Sequence, residues 1–256
     1  MKNLSIGSKQ VSGALGVLGL LGFWIFAAEL WGIHKGIPTP WGVVSTFVKD
    51  WHYYPTHLSA TLGRAAKGYL IGNTIAIGLG LTFVLAPFME KALMQLAVAT
   101  YCLPIIAIGP ILQVVLDGDA PKVALASLSV IFTTLIGVLV GLRSADRTSL
   151  DLVRAYGGGS WMQLRKVRLR AALPSTFTGL QIAAPAAVLG AIIGEYLGGE
   201  KGLGIFMINS QQAFKVERTW GIAFVSTAVA GLGFALTAVL ARRLTPWAPR
   251  AGAETR

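Results

Sequence analysis

Apolar residues form six long runs that are separated by shorter polar segments. The runs cover residues 11–33, 68–88, 92–116, 123–142, 176–198 and 219–240. Each has roughly the 20 residues that an α-helix needs to cross a bilayer. The pattern therefore predicts an all-α, polytopic membrane protein with six transmembrane helices.

The segment between the first two runs, IPTPWGVVSTFVKDW, predicts a short helix at the membrane surface. Its apolar side consists of Trp41, Val44, Phe47 and Val48. Further on, Arg64 and Lys67 precede the second run, and we expect their long side chains to extend to the outer headgroups. Attraction of an anionic substrate is the alternative role for this pair.

The third run contains two prolines, which remove backbone donors and bend transmembrane helices. We expect one kinked helix that lines a transport pathway; a kink that serves packing alone is the alternative. Polar residues of this run and of the fifth run complete the pathway candidates, which are Tyr101, Pro104, Pro110, Gln113 and Gln181.

The fifth run ends with a charged residue, Glu195. A charge within a transmembrane segment is costly and indicates function. Its place near the outer end predicts access to water, which lowers that cost. We expect Glu195, together with Gly202 and Gly204, to have a structural or gating role at the outer mouth.

The composition supports a membrane protein, because 54% of the residues are hydrophobic, 13% are charged and the mean hydropathy is +0.64. The net charge of +11 is unevenly distributed. With the N-terminus inside, the inner segments hold 14 Lys and Arg and the outer segments hold 8. This bias predicts that both termini are cytoplasmic and that the charge orients the protein rather than binding nucleic acid.

The sequence lacks the residue patterns of an enzyme. Cys102 is the only cysteine, and the three histidines, His34, His52 and His57, lack metal-ligand spacing. No Gly-Lys pair is present, which excludes a Walker A loop for ATP. We expect no cofactor and no metal. Such a chain must use a partner's energy or move its solute down a gradient.

The basic segment 143–175 predicts two short cytoplasmic helices. Ser149 is expected to cap the first, about Leu150–Tyr156, and glycines from Gly157 onward to end it. Ser160 and Gln163 form a capping box that is expected to open the second helix. Pro174 is expected in the first turn of the next transmembrane helix.

This segment resembles the EAA loop of permease subunits from ATP-binding-cassette importers. Asp151 to Val153 stand for Glu-Ala-Ala, Gly157 for the glycine, Val167 for the aliphatic residue, and Leu169 with Arg170 for Leu-Pro. Asp for Glu, two bulkier residues for Ala and Arg170 for Pro are departures. Trp161 and the Ala-Leu-Pro that ends at residue 174 fit the taurine, nitrate and sulfonate branch. The resemblance extends over about 56–244.

The resemblance implies an importer-permease fold in three parts. Residues 1–55 would hold the first transmembrane helix and the external segment, 56–244 the core with loop 143–175, and 245–256 a cytoplasmic tail. It also implies a cytoplasmic coupling helix that contacts an ATPase. The coupling residues would be Asp151, Leu152, Val153, Arg154, Tyr156, Gly157 and Trp161.

The implied function is the transmembrane subunit of an ATP-driven importer in a bacterial inner membrane. Its partners would be two ATPase subunits, a second permease copy, an external binding protein and membrane lipid, with no nucleic acid. The implied substrates are small anions such as taurine, alkanesulfonate, nitrate or bicarbonate, with a pyrimidine or an aromatic acid as alternatives. A secondary transporter is a further alternative, although inverted repeats and midplane ion-coupling carboxylates are lacking.

Overall fold

The computed structural model describes residues 4–32 and 36–248, and these residues form helices and connecting turns without a β-strand. The helices are α1 (Leu4–Trp31), α2 (Pro40–Lys49), α3 (Tyr54–Leu85), α4 (Pro87–Cys102), α5 (Ile105–Val115), α6 (Ala120–Arg143), α7 (Arg147–Ala155), α8 (Ser160–Gln163), α9 (Leu169–Leu197), α10 (Leu203–Gln212) and α11 (Val216–Leu244). A 3-10 turn, Trp51–Tyr53, leads directly into α3. The all-α prediction is confirmed.

Four helical stretches among the described residues are long and apolar enough to cross a membrane: Trp51–Leu85, Ala120–Arg143, Ser160–Leu197 and Val216–Leu244. The α4–α5 pair qualifies as a fifth when it is taken as one broken span. Helix α1 adds a shorter apolar stretch, Leu15–Trp31. The count of six transmembrane helices stays a prediction.

The third apolar run is broken, so the prediction of one kinked helix was wrong. Helix α4 ends at Cys102, α5 begins at Ile105, and the two helices are bent by 100°. Leu103 is extended (φ −71°, ψ 129°), because a following proline disfavours helical geometry. Pro104 thus separates two helices, whereas Pro110 lies inside α5.

The cytoplasmic segment also differs from its prediction. Asp146, and not Ser149, caps the first helix: its carboxylate accepts a hydrogen bond of 2.9 Å from the Ser149 backbone N–H. Gly159 precedes α8 without a side-chain cap, so the capping box was wrong. A π-turn, Leu164–Arg168, joins α8 to α9, and Pro174 lies inside α9. Helix α8, the π-turn and α9 form one continuous helix, Ser160–Leu197, called here the α8–α9 helix.

The chain divides into two compact units, of which the first comprises residues 1–55 and 206–225. Within it, the Trp24 and Trp220 rings stack at 5.5 Å, and Arg218 binds Asp50 at 2.6 Å. The predicted surface helix is present as α2, with Thr39 as its N-cap. On this helix, Trp41, Val44 and Val48 are exposed.

The second unit comprises residues 56–205 and 226–256, and α6 packs along α9 at its centre. Glycines allow the two backbones to approach closely. A Cβ atom at Gly141 would lie 2.6 Å from the carbonyl oxygen of Ala172, and one at Gly137 would lie 2.9 Å from that of Ser175. The α8–α9 helix is thereby held against α6 over several turns.

Candidate functional site

A buried polar cluster surrounds Glu195 at the end of α9. This side chain is 0% exposed. Its carboxylate accepts hydrogen bonds from the Arg64 guanidinium at 2.8 Å, the Thr61 hydroxyl at 2.9 Å and the Gly204 backbone N–H at 2.9 Å. Three donors from α3 and the start of α10 therefore satisfy one buried carboxylate.

Arg64 links this carboxylate to a second one. Its guanidinium lies 2.8 Å from the Asp119 carboxylate and donates to the Lys201 carbonyl at 2.5 Å. Lys122 lies 3.2 Å from the same carboxylate. The Arg64 guanidinium holds the pKa of Asp119 below its usual value, with a smaller contribution from Lys122. Two cations and two carboxylates leave the cluster without net charge.

Two predictions about this region were wrong. Glu195 has no access to water, because the α3 side chains and residues 202–204 enclose it. Arg64 does not extend to the headgroups, since its side chain is 9% exposed and lies between two carboxylates. The guanidinium is already engaged, which removes the basis for the alternative that Arg64 attracts an anionic substrate.

The loop after α9 reaches the cluster through glycines. Gly202 has φ +133°, and its N–H donates to His57 Nδ1 at 3.1 Å. The N–H of Leu203 donates to the Thr61 hydroxyl oxygen at 2.8 Å. A Cβ atom at Gly202 would overlap the Glu195 carboxylate, so this position needs glycine for space as well as for conformation. The structure thus brings Glu195, Gly202 and Gly204 together.

A second candidate region is the end of α7. Gly157 has φ +78°, and its N–H donates to the Arg154 carbonyl at 2.8 Å. The Gly158 N–H donates to the Val153 carbonyl at 2.8 Å. These two bonds define a Schellman motif, in which a left-handed glycine ends the helix. The turn expected at Gly157 is present.

Three large side chains around this turn are exposed: Leu152 is 58%, Tyr156 84% and Trp161 65% exposed. Val153 is half-buried and lies against Gly158. The predicted ATPase-facing residues Asp151 and Arg154 form an exposed ion pair of 3.2 Å on α7 itself. The predicted coupling residues therefore share one short, exposed segment with an unpartnered apolar surface.

The predicted pathway residues lie on different elements. Tyr101 is exposed and stacks on Phe132 with ring centroids 4.3 Å apart. Gln113, on α5, lies beside Gly198, which begins the loop that follows α9. Gln181 is half-buried on α9. Pro104 lies at the α4–α5 break and Pro110 is exposed on α5.

Sequence reasoning did not place four members in the polar cluster: Thr61, Arg64, Asp119 and Lys122. One signal was present. A buried acid near the end of one span needs a cation, and Arg64 directly precedes a span whose outer end is on the same predicted side. If these two charges had been paired before the ends of the spans were assigned, Arg64 and Glu195 would have been predicted to be in contact.

The described residues thus combine several helices long and apolar enough to cross a membrane, a buried ionic cluster at one end of α9 and an exposed helical turn beyond its other end, as in a polytopic helical membrane protein. Residues 58–248 match the family model described as "Binding-protein-dependent transport system inner membrane component". The chain belongs to this family.

Similar proteins include three permeases. The formylaminopyrimidine transport permease ThiX of Halalkalibacterium halodurans is 31% identical over 89% of this chain and 92% of its own length. The riboflavin transport permease RibX of Chloroflexus aurantiacus is 29% identical over 75% and 72%. SsuC of Bacillus subtilis, named for aliphatic sulfonate transport, is 26% identical over 82% and 78%.

The fold is that of an importer permease. A chain of the MetNI methionine ABC transporter, in an inward-facing conformation, superposes with a TM-score of 0.56 at 17% identity over 76% of this chain and 93% of its own. This chain is therefore a multi-pass transport subunit of a bacterial inner membrane, and it is not an enzyme.

Proposed function

We propose that two copies of this chain form the pathway of an ATP-driven importer, with two ATPase subunits inside and a binding protein outside. Both termini are cytoplasmic, and residues 56–244 form the permease core. Family membership and the exposed end of α7 support this proposal. The apolar surface of Leu152, Tyr156 and Trp161 is the observation that carries it.

This surface suits a partner because α7 is too short to be stable alone. It has 9 residues, and isolated helices below roughly 12 residues are marginal in water. Burying Leu152 in a partner's groove would contribute at most about 1.5–3 kcal/mol, and the Tyr156 ring would add apolar area to the same contact. We propose that the ATPase subunit supplies this groove and that Arg154 leaves Asp151 to pair with acids at its rim.

The α8–α9 helix connects the two candidate regions. Its 38 residues span about 57 Å at 1.5 Å per residue. Trp161 lies in its first turn and Glu195 in its last. We propose that a shift of α7 moves this helix as a unit and so opens or closes an outer gate made by Glu195, Gly202 and Gly204.

The proposed substrate is a small solute chosen mainly by the binding protein. A sulfonate-like anion is the first candidate, supported by the Asp151–Pro174 segment and by the relative named for sulfonate transport. A pyrimidine is the second, supported by the 31% identical relative. The five scattered residues Tyr101, Pro104, Pro110, Gln113 and Gln181 are proposed to line a passage without a strong binding site.

The test is Gly157→Val with Gly159→Val as its matched control. Valine is strained at φ +78°, whereas Gly159 has φ −78° and open space around it. We expect Gly157→Val to remain inserted and dimeric but to lose ATPase pull-down and uptake, and Gly159→Val to retain both. Normal pull-down and uptake in both variants would contradict the coupling role.

Substrate choice is tested on the proposed external binding protein. Isothermal titration with an alkanesulfonate, nitrate and an aminopyrimidine separates the candidates. Submillimolar binding of the pyrimidine alone would reject the anion.

A further inference from the structure

A basic surface lies where the α8–α9 helix and α11 reach the proposed cytoplasmic side. Lys166 and Arg170 are exposed and one turn apart, and they line a surface depression together with Trp247. The Arg170 guanidinium lies 5.4 Å from the centroid of the Trp247 ring, which is a cation–π contact. Helix α11 adds Arg242 and Arg243, both exposed, in its last turn.

These cations lack acidic partners within the described part of the chain. No described carboxylate lies within 4.0 Å of the charged groups of Lys166, Arg170 or the two arginines of α11. The depression does contain Asp146. Its carboxylate is occupied as the cap of α7, accepting from the Ser149 N–H at 2.9 Å and from its hydroxyl at 3.0 Å. These donors are neutral, so Asp146 keeps its negative charge. Against the two positive charges of Lys166 and Arg170, it leaves the depression with one net positive charge.

The position of Arg170 along the α8–α9 helix matches the layer of the inner lipid headgroups. From Leu197 to Arg170 the helix rises about 40 Å, and a bilayer with its headgroup layers is about 40–45 Å thick. With Leu197 at the outer surface, Arg170 lies among the inner headgroups. Tryptophan is common at this level, and Trp247 is 48% exposed there.

We propose that Lys166, Arg170 and Trp247 bind the phosphate headgroup of an anionic phospholipid, with phosphatidylglycerol as the probe. Arginine binds phosphate in a bidentate manner and lysine contributes a point charge. The cation–π contact uses none of the N–H donors of Arg170, so they are available to the phosphate. Inorganic phosphate offers the same chemistry, but the headgroup level of the site and the tryptophan beside it favour the lipid.

The test is native mass spectrometry of the assembled transporter, permease with ATPase subunits, titrated with phosphatidylglycerol. Each basic residue at an anionic lipid surface contributes about fivefold in affinity. Lys166→Gln with Arg170→Gln should therefore weaken binding about 25-fold. The matched control, Lys49→Gln with Lys215→Gln, removes two exposed lysines of the predicted outer segments and should change binding less than about twofold.

Three further arms decide the proposal. Arg170→Lys retains the charge but loses the bidentate fork, so it should weaken binding less than Arg170→Gln does, whereas a loss equal to that of the double variant would overturn a charge-based site. Phosphatidylcholine bound as tightly as phosphatidylglycerol would overturn the preference for an anionic headgroup. Displacement of the lipid by millimolar inorganic phosphate would assign the site to the free ion. Equal lipid affinity in the double variant and its control would also refute the proposal.

Discussion

The Arg64–Glu195 pair should be strongly coupled in stability. Arg64→Met leaves the Glu195 carboxylate buried and without a cation. Removing one partner of a buried ion pair in this way lowers the free energy of unfolding by about 3–5 kcal/mol. Glu195→Gln retains hydrogen bonding to Thr61 but loses a bond to a charged group, which is worth about 1.5–3 kcal/mol. Arg64 then still has Asp119 as its counter-charge.

The double variant, Arg64→Met with Glu195→Gln, removes the buried charge and its partner together. Asp119 is half-exposed and retains Lys122, so it tolerates the loss of Arg64. The double variant should therefore cost less than the two single variants combined, by about 2–3 kcal/mol.

Unfolding of the purified permease in mixed micelles, followed by far-ultraviolet circular dichroism, gives the three free energies. Substrate uptake and ATP hydrolysis in proteoliposomes report on the gate, and we expect Glu195→Gln to hydrolyse ATP with reduced uptake. Additivity within about 0.5 kcal/mol would show that the pair is not coupled. Wild-type uptake per ATP in Glu195→Gln would leave the cluster as a structural brace without a gating role.

Two other predictions concern orientation and pH. In a Cys102→Ser background, a membrane-impermeant thiol reagent added outside should label Asp117→Cys and leave Ser160→Cys unlabelled; the opposite pattern would reverse the orientation. Because Arg64 lowers the pKa of Asp119, the stabilisation from this carboxylate is complete above its ordinary pKa of 3.8 and is lost as the pH falls through the lower folded value. The unfolding free energy contributed by this group should be flat from pH 6 to 8 and decrease only in acid, and Asp119→Asn should weaken that decrease.

The sequence predicted the positions of most helices, because runs of apolar residues and breaking residues are local signals. The left-handed turn at Gly157 followed from glycine chemistry alone. The cap of α7 was misplaced because Asp146 and Ser149 lie within one turn and both suit an N-cap. The break at Pro104 was mistaken for a kink, since a proline signals either outcome.

The polar cluster could not be derived from local patterns. Arg64 and Glu195 are 131 residues apart, and neither hydrophobic periodicity nor capping rules relate positions on different helices. Their partner Gly204 contributes a backbone N–H, which any residue type would offer. What selects the pair is the desolvation cost of a buried carboxylate, which becomes apparent only when the helices are assembled.

The π-turn Leu164–Arg168 fixes the angular phase of the α8–α9 helix. A π-turn holds one residue more than the α-helix around it, and one residue corresponds to about 100° of rotation. Deleting one residue of this turn would leave an uninterrupted helix of nearly the same length. Because the wide turn already contains that residue, the deletion would leave Trp161 and α7 in the same direction relative to Glu195. Converting the turn to α-helix with all its residues retained would instead swing them by about 100° around the axis. The width of this one turn thus determines the direction in which α7 points.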